Sequence, residues 1–469
     1  MRRRVVTAWV VPVVLLAGTG GYAWADARDM VPGILTDDPV AAAPAPFLAA
    51  QSIDPAPGAD ALAGALGEAP LPDAAALQAL AQALRDDPRT GTSTSVAVAD
   101  LVTGEMLVDV AANDPQTPAS TAKILTTLAA VHVLGPEYTF ATTAVFDPSR
   151  AEVAILAGGD MMLAPDAGHY GSLDQANGWA GAGDLADQVA AALAAAGVSA
   201  VTVVYDDSGY PGPAVPAAWP TYVVPMGYGA PVTGLGIDIA RTTSDFYAPR
   251  WPNPSAHVGE VLAQRLVERG IAATYTGSRA GATGNQVGVV FSAPLWRVAE
   301  HTIIDSDNTI AELMSRVLAK ETGRPATPAG ASAAVLAGLQ DLGFDTTGIE
   351  FYDGAGYSTR NRVSAAQLVA ALRLTLSDSN TGEFLRWLPI GALEGTVGGR
   401  YNDTPAAGVV RAKTGSLTGV TSLAGIVQTA EGRVLVFAVL ADGMPAGQDR
   451  PRSAIDEFVT ALAQCGCTS

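Results

Sequence analysis

Lysine is nearly absent: the 469 residues include three, Lys123, Lys320 and Lys413, so arginine supplies most of the 27 basic side chains. Against 46 acidic residues these leave a net charge of −19. With the arginines scattered, no clustered basic face remains for phosphates, which argues against nucleic acid as a partner. Cysteine is scarcer still, with Cys465 and Cys467 in a terminal CGC. No disulfide framework can hold this fold, two thiols are too few for a closed zinc site, and a bridge across one glycine would be strained. A catalytic or metal-binding role for the pair is therefore not expected, and the sequence assigns it no other. His132, His169, His257 and His301 show neither metal-ligand spacing nor a place in a Ser-His-Asp order, so each reads as structural. Neither a metal nor another cofactor is implied.

What is present is apolar: 49% of residues are hydrophobic and 16% charged, enough for a sizeable core and two or three domains. Arg2, Arg3 and Arg4 precede "VVTAWVVPVVLLAG", and "AWA" at 23 to 25 offers small residues for a signal peptidase. Residues 1–25 are expected to be a cleaved export signal or a retained membrane anchor, with the remainder outside the cytoplasm. No second run long enough to span a bilayer follows. Residues 26–71 are rich in Ala, Pro, Gly and Asp and read as a linker. Folded structure is expected from Pro72 and Asp73, where a helix start precedes Leu77, Leu80 and Leu84.

"TSVAVADLVTGEMLVDV" predicts two strands around a Thr-Gly turn, and Gly135-Pro136 stops the helix that follows. A middle block of strands, loops and one Ala-rich helix looks like a separate module. "PLWRVAEHTIIDSDNTIAELMSRVLAKETG" predicts two helices around a polar kink, and Ser364 and Gln367 are spaced as a capping box. Three strand candidates, "GVVRAKTGSL", "TSLAGIVQT" and "RVLVFAVLADG", precede a closing helix, "AIDEFVTALAQ".

Two of the three lysines sit in motifs. In "PASTAKILTT" Ser120 lies three residues before Lys123, on one face if the segment is helical. A helix start also offers free N–H groups and a positive dipole end to a developing oxyanion. Lysine can act as a base only when burial or a second cation lowers its pKa. A lone Ser-x-x-Lys is more often a helix cap and a solvated lysine. "SDN", Ser306 to Asn308, is by itself a cap or turn sequence, and "KTGS", Lys413 to Ser416, ends a predicted strand. The ordered trio is far rarer than any member.

These are the S-x-x-K, S-D-N and K-T-G motifs of the serine penicillin-recognising enzymes. Together with "AGGDMML", "DDSGYPGP", "APVTGL", "DGAGYSTRNRVS" and "LPIGALEGT", they make the chain from about residue 92 to 460 resemble the class C low-molecular-mass penicillin-binding proteins, D-alanyl-D-alanine carboxypeptidases and endopeptidases. Between Lys123 and Ser306 lie 182 residues, room for one or two inserted domains.

The resemblance implies an α+β fold: a transpeptidase/β-lactamase-like domain, a five-stranded antiparallel sheet between helices, split by an inserted mixed α/β block. Its parts would be 72–141, the insertion 142–285, and 286–469. It further implies Ser120 as the acylated nucleophile, Lys123 as its base and Ser306 as a proton relay to the leaving amine. Asn308 would hold the substrate peptide or the lysine, Lys413 would supply positive charge, and Thr414 and Ser416 would bind the terminal carboxylate. The N–H groups of Ser120 and Ser416 would form the oxyanion hole. Partners are peptidoglycan peptides ending in D-Ala-D-Ala, with β-lactams as covalent inhibitors.

The chain departs from the pattern at Ala355 and Tyr357, where relatives usually carry serine and leucine, which affects substrate contact there. Asp160, Asp206 and Asp207, inside the insertion, are expected to serve turns and packing. A β-lactamase would share the motifs, but class A enzymes deacylate with a glutamate in a Glu-x-x-Leu-Asn loop. Glu350 is followed by "FYD" and does not fit. A catalytically silent wall scaffold is the non-enzymatic alternative, against which the intact motifs argue.

Overall fold

The computed structural model describes residues 69–170, 175–444 and 449–465. The export segment, the linker up to residue 68 and Cys467 lie outside the described residues. The described helices are α1 (Ala74–Arg85), α2 (Ala122–Leu134), α3 (Ala182–Ala195), α4 (Pro254–Glu268), α5 (Leu295–Ile304), α6 (Asn308–Glu321), α7 (Pro328–Asp341), α8 (Ala365–Leu374) and α9 (Asp449–Gln464). No described helix is long and apolar enough to cross a membrane.

The predicted hairpin forms strands β1 (Ser93–Asp100) and β2 (Met106–Val110), turning through Gly104 at φ 77°, a conformation open to glycine without steric cost. With β10 (Val410–Leu417), β11 (Val420–Gln428) and β12 (Val434–Asp442) they make an antiparallel sheet in the order β10-β11-β12-β1-β2, with Ala97 opposite Ala438. Because side chains alternate across a sheet, one face presents Val96, Val98, Phe437 and Val439 to α1 and α9, packing with Leu77, Ile455 and Phe458. The other presents Ala97, Ala99, Ala424 and Ala438, small residues that allow α8 to pack closely. Beyond α8 lies α2, buried from Ala122 through Val131; an all-round apolar sequence suits such a central helix.

The inserted block is a five-stranded mixed sheet, β8-β6-β4-β3-β9, built from β3 (Ala141–Asp147), β4 (Glu152–Leu156), β6 (Ala200–Asp206), β8 (Ala272–Ser278) and β9 (Asn285–Phe291). Strands β4, β6 and β8 run parallel, and α3 and α4 pack in its core. A parallel pair, β5 (Asp160–Leu163) and β7 (Leu235–Ile237), lies apart. Strand β9 returns antiparallel to β3, with Ala141 opposite Phe291. At this neck the Ser292 N–H donates to the Phe140 carbonyl at 3.0 Å and the Phe140 N–H to Ser292 Oγ at 2.9 Å. The block thus enters and leaves by neighbouring strands. At the other end of the chain Cys465 is disulfide-bonded.

Candidate active site

Pro118 and Ala119 open a short 3₁₀ turn, Ala119–Thr121, that runs into α2. Ala119 takes φ 49°, and the Pro118 carbonyl accepts from Thr121 Oγ1 and from Ser422 Oγ of β11, each at 2.6 Å. The turn is thereby fixed against the large sheet with Ser120 at its centre. One turn on, Lys123 Nζ donates to Ser120 Oγ at 2.9 Å, to Asn308 Oδ1 at 2.7 Å and to the Ala355 carbonyl at 2.6 Å. Lys123 is fully buried, and burial pushes its pKa down to about 7 against the pull of Asp353 and Asp307. A hydroxyl beside an amine that is half neutral at pH 7 can be deprotonated as it attacks.

The polar kink between α5 and α6 carries the second motif, with Ser306 at φ 58°. Asp307 caps α6 by accepting from the Ile310 N–H at 2.9 Å. His301 reaches Asp305 at 3.0 Å and Asp307 at 3.8 Å. Although burial opposes it, this pairing raises the His301 pKa to about 9, and it holds Asp307 at about 2 against burial. Asn308 opens α6, its Nδ2 donating to the Tyr228 carbonyl at 2.7 Å and to Tyr357 Oη at 3.1 Å.

The third motif lies on β10, the sheet's outer strand, which pairs along its length with β11 and touches Ile390 through a single bridge at Arg411 on its other side. The Ala412 N–H points away from β11, to the Pro389 carbonyl. Since strand N–H groups alternate in direction, those of Thr414 and Ser416 also face outward, toward the cleft. Lys413 Nζ donates to Ser306 Oγ at 2.8 Å and to the Thr414 carbonyl at 2.9 Å. It too is fully buried, and burial together with the charge of Lys123 holds its pKa well below the ordinary lysine range. A Cβ on Gly415 would lie 2.1 Å from Ser422 Oγ, 2.8 Å from the Pro118 oxygen and 3.0 Å from the Ser120 nitrogen. Only glycine lets the strand come this near the turn.

All seven motif residues predicted from sequence meet here. A cavity of about 440 Å³ is lined by Ser120, Ser306, Asn308, Thr414 and Ser416, with Tyr228, Phe246 and Tyr247 of the inserted block and Arg452 of α9 also on its wall. Sequence reasoning missed the Ala355 and Tyr228 carbonyls, Gly415 and Arg452. It doubted Ala355 and Tyr357, yet Ala355 contributes a main-chain oxygen and Tyr357 a hydroxyl to the lysine and asparagine network. Asp353 shapes that loop, accepting from the N–H groups of Gly356, Tyr357 and Ser358. Away from the cleft, His132 sits between Asp341 and Asp378, and His257 stacks on Trp251. Asp160 and Asp206 accept main-chain N–H groups two residues on, at Met162 and Ser208. Neither lines the cleft.

The family model described as D-Ala-D-Ala carboxypeptidase 3 (S13) matches residues 76–250 and 247–465. Carboxypeptidase DacB of Mycolicibacterium smegmatis is 35% identical over 410 residues, covering 85% of this chain and 86% of that protein. A carboxypeptidase of Mycobacterium tuberculosis is 33% identical over 407 residues, with 85% and 86% covered. Among solved structures, penicillin-binding protein 4 (dacB) of Haemophilus influenzae superposes with a TM-score of 0.66 at 20% identity, covering 82% of this chain and 98% of that one.

Proposed function

The chain belongs to the D-Ala-D-Ala carboxypeptidase 3 (S13) family and is a serine-type carboxypeptidase of the low-molecular-mass penicillin-binding protein group; from that premise we propose how its own residues carry the reaction. Ser120 Oγ attacks the carbonyl of the penultimate D-alanine of a peptidoglycan stem peptide, and its proton passes to neutral Lys123. The N–H groups of Ser120 and Ser416 receive the oxyanion. Ser306, held by Lys413, relays the proton to the leaving D-alanine amine as the C–N bond breaks. Water then hydrolyses the Ser120 ester, the proton returning through the same groups. Asn308 keeps Lys123 aimed at Ser120, and Thr414 and Ser416 hold the terminal carboxylate.

The observation that carries this reading is the 2.9 Å approach of Lys123 Nζ to Ser120 Oγ, with the amine's pKa brought to about 7. Cleavage of D-alanyl cross-links uses the same acylation step with a different leaving group. The wall substrate gives the protein an extracytoplasmic role, and we read residues 1–25 as what exports or anchors it. The test is intact mass after incubation with benzylpenicillin. An adduct on the native protein that is absent from Ser120→Ala is expected; an equal adduct on both would sink the assignment of Ser120.

A further inference from the structure

Three stretches of main chain in the inserted block meet at one guanidinium on the cleft wall, that of Arg250. Its Nη1 donates to the Ile239 carbonyl at 3.0 Å, and its Nη2 to the carbonyls of Gly227 at 2.7 Å and Phe246 at 3.1 Å. Asp238, Ile239 and Ala240 run consecutively at φ 47°, 53° and 59°, a left-handed turn that residues with a Cβ resist. Residues 241–250 then fold back on themselves, with Arg241 opposite Arg250, and bring Phe246 and Tyr247 to the cleft. Gly227, at φ 69°, passes so near them that a Cβ would lie 2.3 Å from the Tyr247 carbonyl oxygen. A guanidinium suits this junction, since its rigid fork of N–H donors can serve three carbonyls at once.

The peptide unit between Gly227 and Tyr228 is pinned on both sides, its oxygen by Arg250 and its N–H by the Val223 carbonyl at 2.9 Å. The next carbonyl, that of Tyr228, accepts from Asn308 Nδ2 at 2.7 Å, with Tyr357 Oη as the second acceptor at 3.1 Å. An amide whose nitrogen is committed in this way turns its oxygen to the other side, where Asn308 Oδ1 accepts from Lys123 Nζ at 2.7 Å. We propose that Arg250 is a positioning residue for acylation, fixing the Tyr228 carbonyl and through it the Asn308 amide that aims Lys123 at Ser120. The inference rests on the reading of Lys123 as the base. Because the same guanidinium holds the Phe246 carbonyl, the aromatic wall of the cleft and the base are placed together.

The experiment is a double-variant cycle on the full chain, reading the second-order rate of acylation by benzylpenicillin from intact mass. Arg250→Met is expected to slow acylation by about 10- to 100-fold, up to the cost of a displacement on the order of 1 Å at the reacting groups. In an Asn308→Ala background the same substitution should cost less than about twofold, because the link through which it acts is gone. Arg250→Lys, which keeps a donor for these carbonyls, should recover part of the loss. The acid limb of the pH profile should stay in place, since the guanidinium works by holding a carbonyl and not by its charge. Equal slowing in both backgrounds would make Arg250 a general structural support and overturn the proposal, as would no slowing in the wild-type background or a displaced acid limb. Should Arg250→Met fail to fold, Arg250→Lys runs the same cycle and decides between these outcomes. An Asn308→Ala variant acylated at the native rate would overturn the proposal alone, whereas a wild type with no Ser120-dependent adduct would bring down the reading of the site and this inference with it.

Discussion

Lys123 Nζ donates to Asn308 Oδ1 at 2.7 Å, joining two helices through residues 185 positions apart in the chain. The amide does two things here. It holds the amine beside Ser120 without supplying a charge, so burial outweighs the pull of Asp353 and Asp307 and brings the lysine's pKa near neutrality. Since the neutral amine is the active base, the rate of acylation by benzylpenicillin is expected to rise about tenfold per pH unit below pH 7 and level off above it. In Asn308→Asp a carboxylate would stabilise the ammonium, moving the acid limb up by about 1 to 3 pH units. Stopped-flow acylation across pH 5 to 10 reads both, and an unmoved limb in Asn308→Asp would exclude Lys123 as the titrating group.

Gly415 is where the strand meets the nucleophile turn. Gly415→Ala places a methyl against Ser422 Oγ and the Pro118 oxygen, prising β10 from Ser120. Acylation is expected to slow by about 10²- to 10³-fold, the cost of misplacing one oxyanion donor. Circular dichroism should report a folded protein. A fully active Gly415→Ala would contradict the close approach.

Glu312 and Arg316 form a fully buried ion pair at 3.1 Å within α6. Arg316 also donates to the Pro213 and Val232 carbonyls of the inserted block, and Glu312 accepts from the Gly354 N–H. Burial pushes the Glu312 pKa up to about 7 despite its partner. Arg316→Met leaves that carboxylate unpaired and should cost about 3–5 kcal/mol in denaturant unfolding. Adding Glu312→Gln should restore much of the loss; a double variant no better than the single would sink this account.

His301 supplies a second pH effect, of opposite sign to that of the lysine. Its folded pKa of about 9 lies above an unfolded value of about 6.5, so its contribution is complete below pH 6.5 and lost as pH rises through 9. The stability difference between wild type and His301→Gln should therefore shrink over that window, by on the order of 3 kcal/mol. A constant difference from pH 6 to 9.5 would show that folding leaves the His301 pKa unshifted and would overturn its pairing with Asp305 and Asp307.

Legibility in the sequence followed the range of each interaction. Ser120 and Lys123 are three residues apart, so helical spacing allowed their contact, and the ordered trio of motifs singled it out. The hairpin at 93–110 and the Ser364–Gln367 capping box, likewise local, form as predicted. The Ala355 and Tyr228 carbonyls were invisible because every residue carries one. Arg452 lies 36 residues beyond Ser416 and just ahead of the predicted closing helix "AIDEFVTALAQ", with no local signal tying it to β10. Glu312 and Arg316 have the i,i+4 spacing of an ordinary surface pair, and nothing local distinguishes a pair that the inserted block covers. The order of the mixed sheet depends on parallel crossovers, which no short pattern encodes.

The neck at Phe140 and Ser292 gives the inserted block the topology of a cassette: both ends of a 151-residue excursion, residues 141–291, meet across one pair of hydrogen bonds, so a short turn could replace it without rethreading the catalytic sheet. Its chemistry forbids the excision. The block supplies the Tyr228 carbonyl that orients Asn308, the Ala230 N–H that donates to Thr309 Oγ1 at 2.9 Å and the two carbonyls that solvate Arg316. A trimmed enzyme would keep its nucleophile and lose the rigidity of its base.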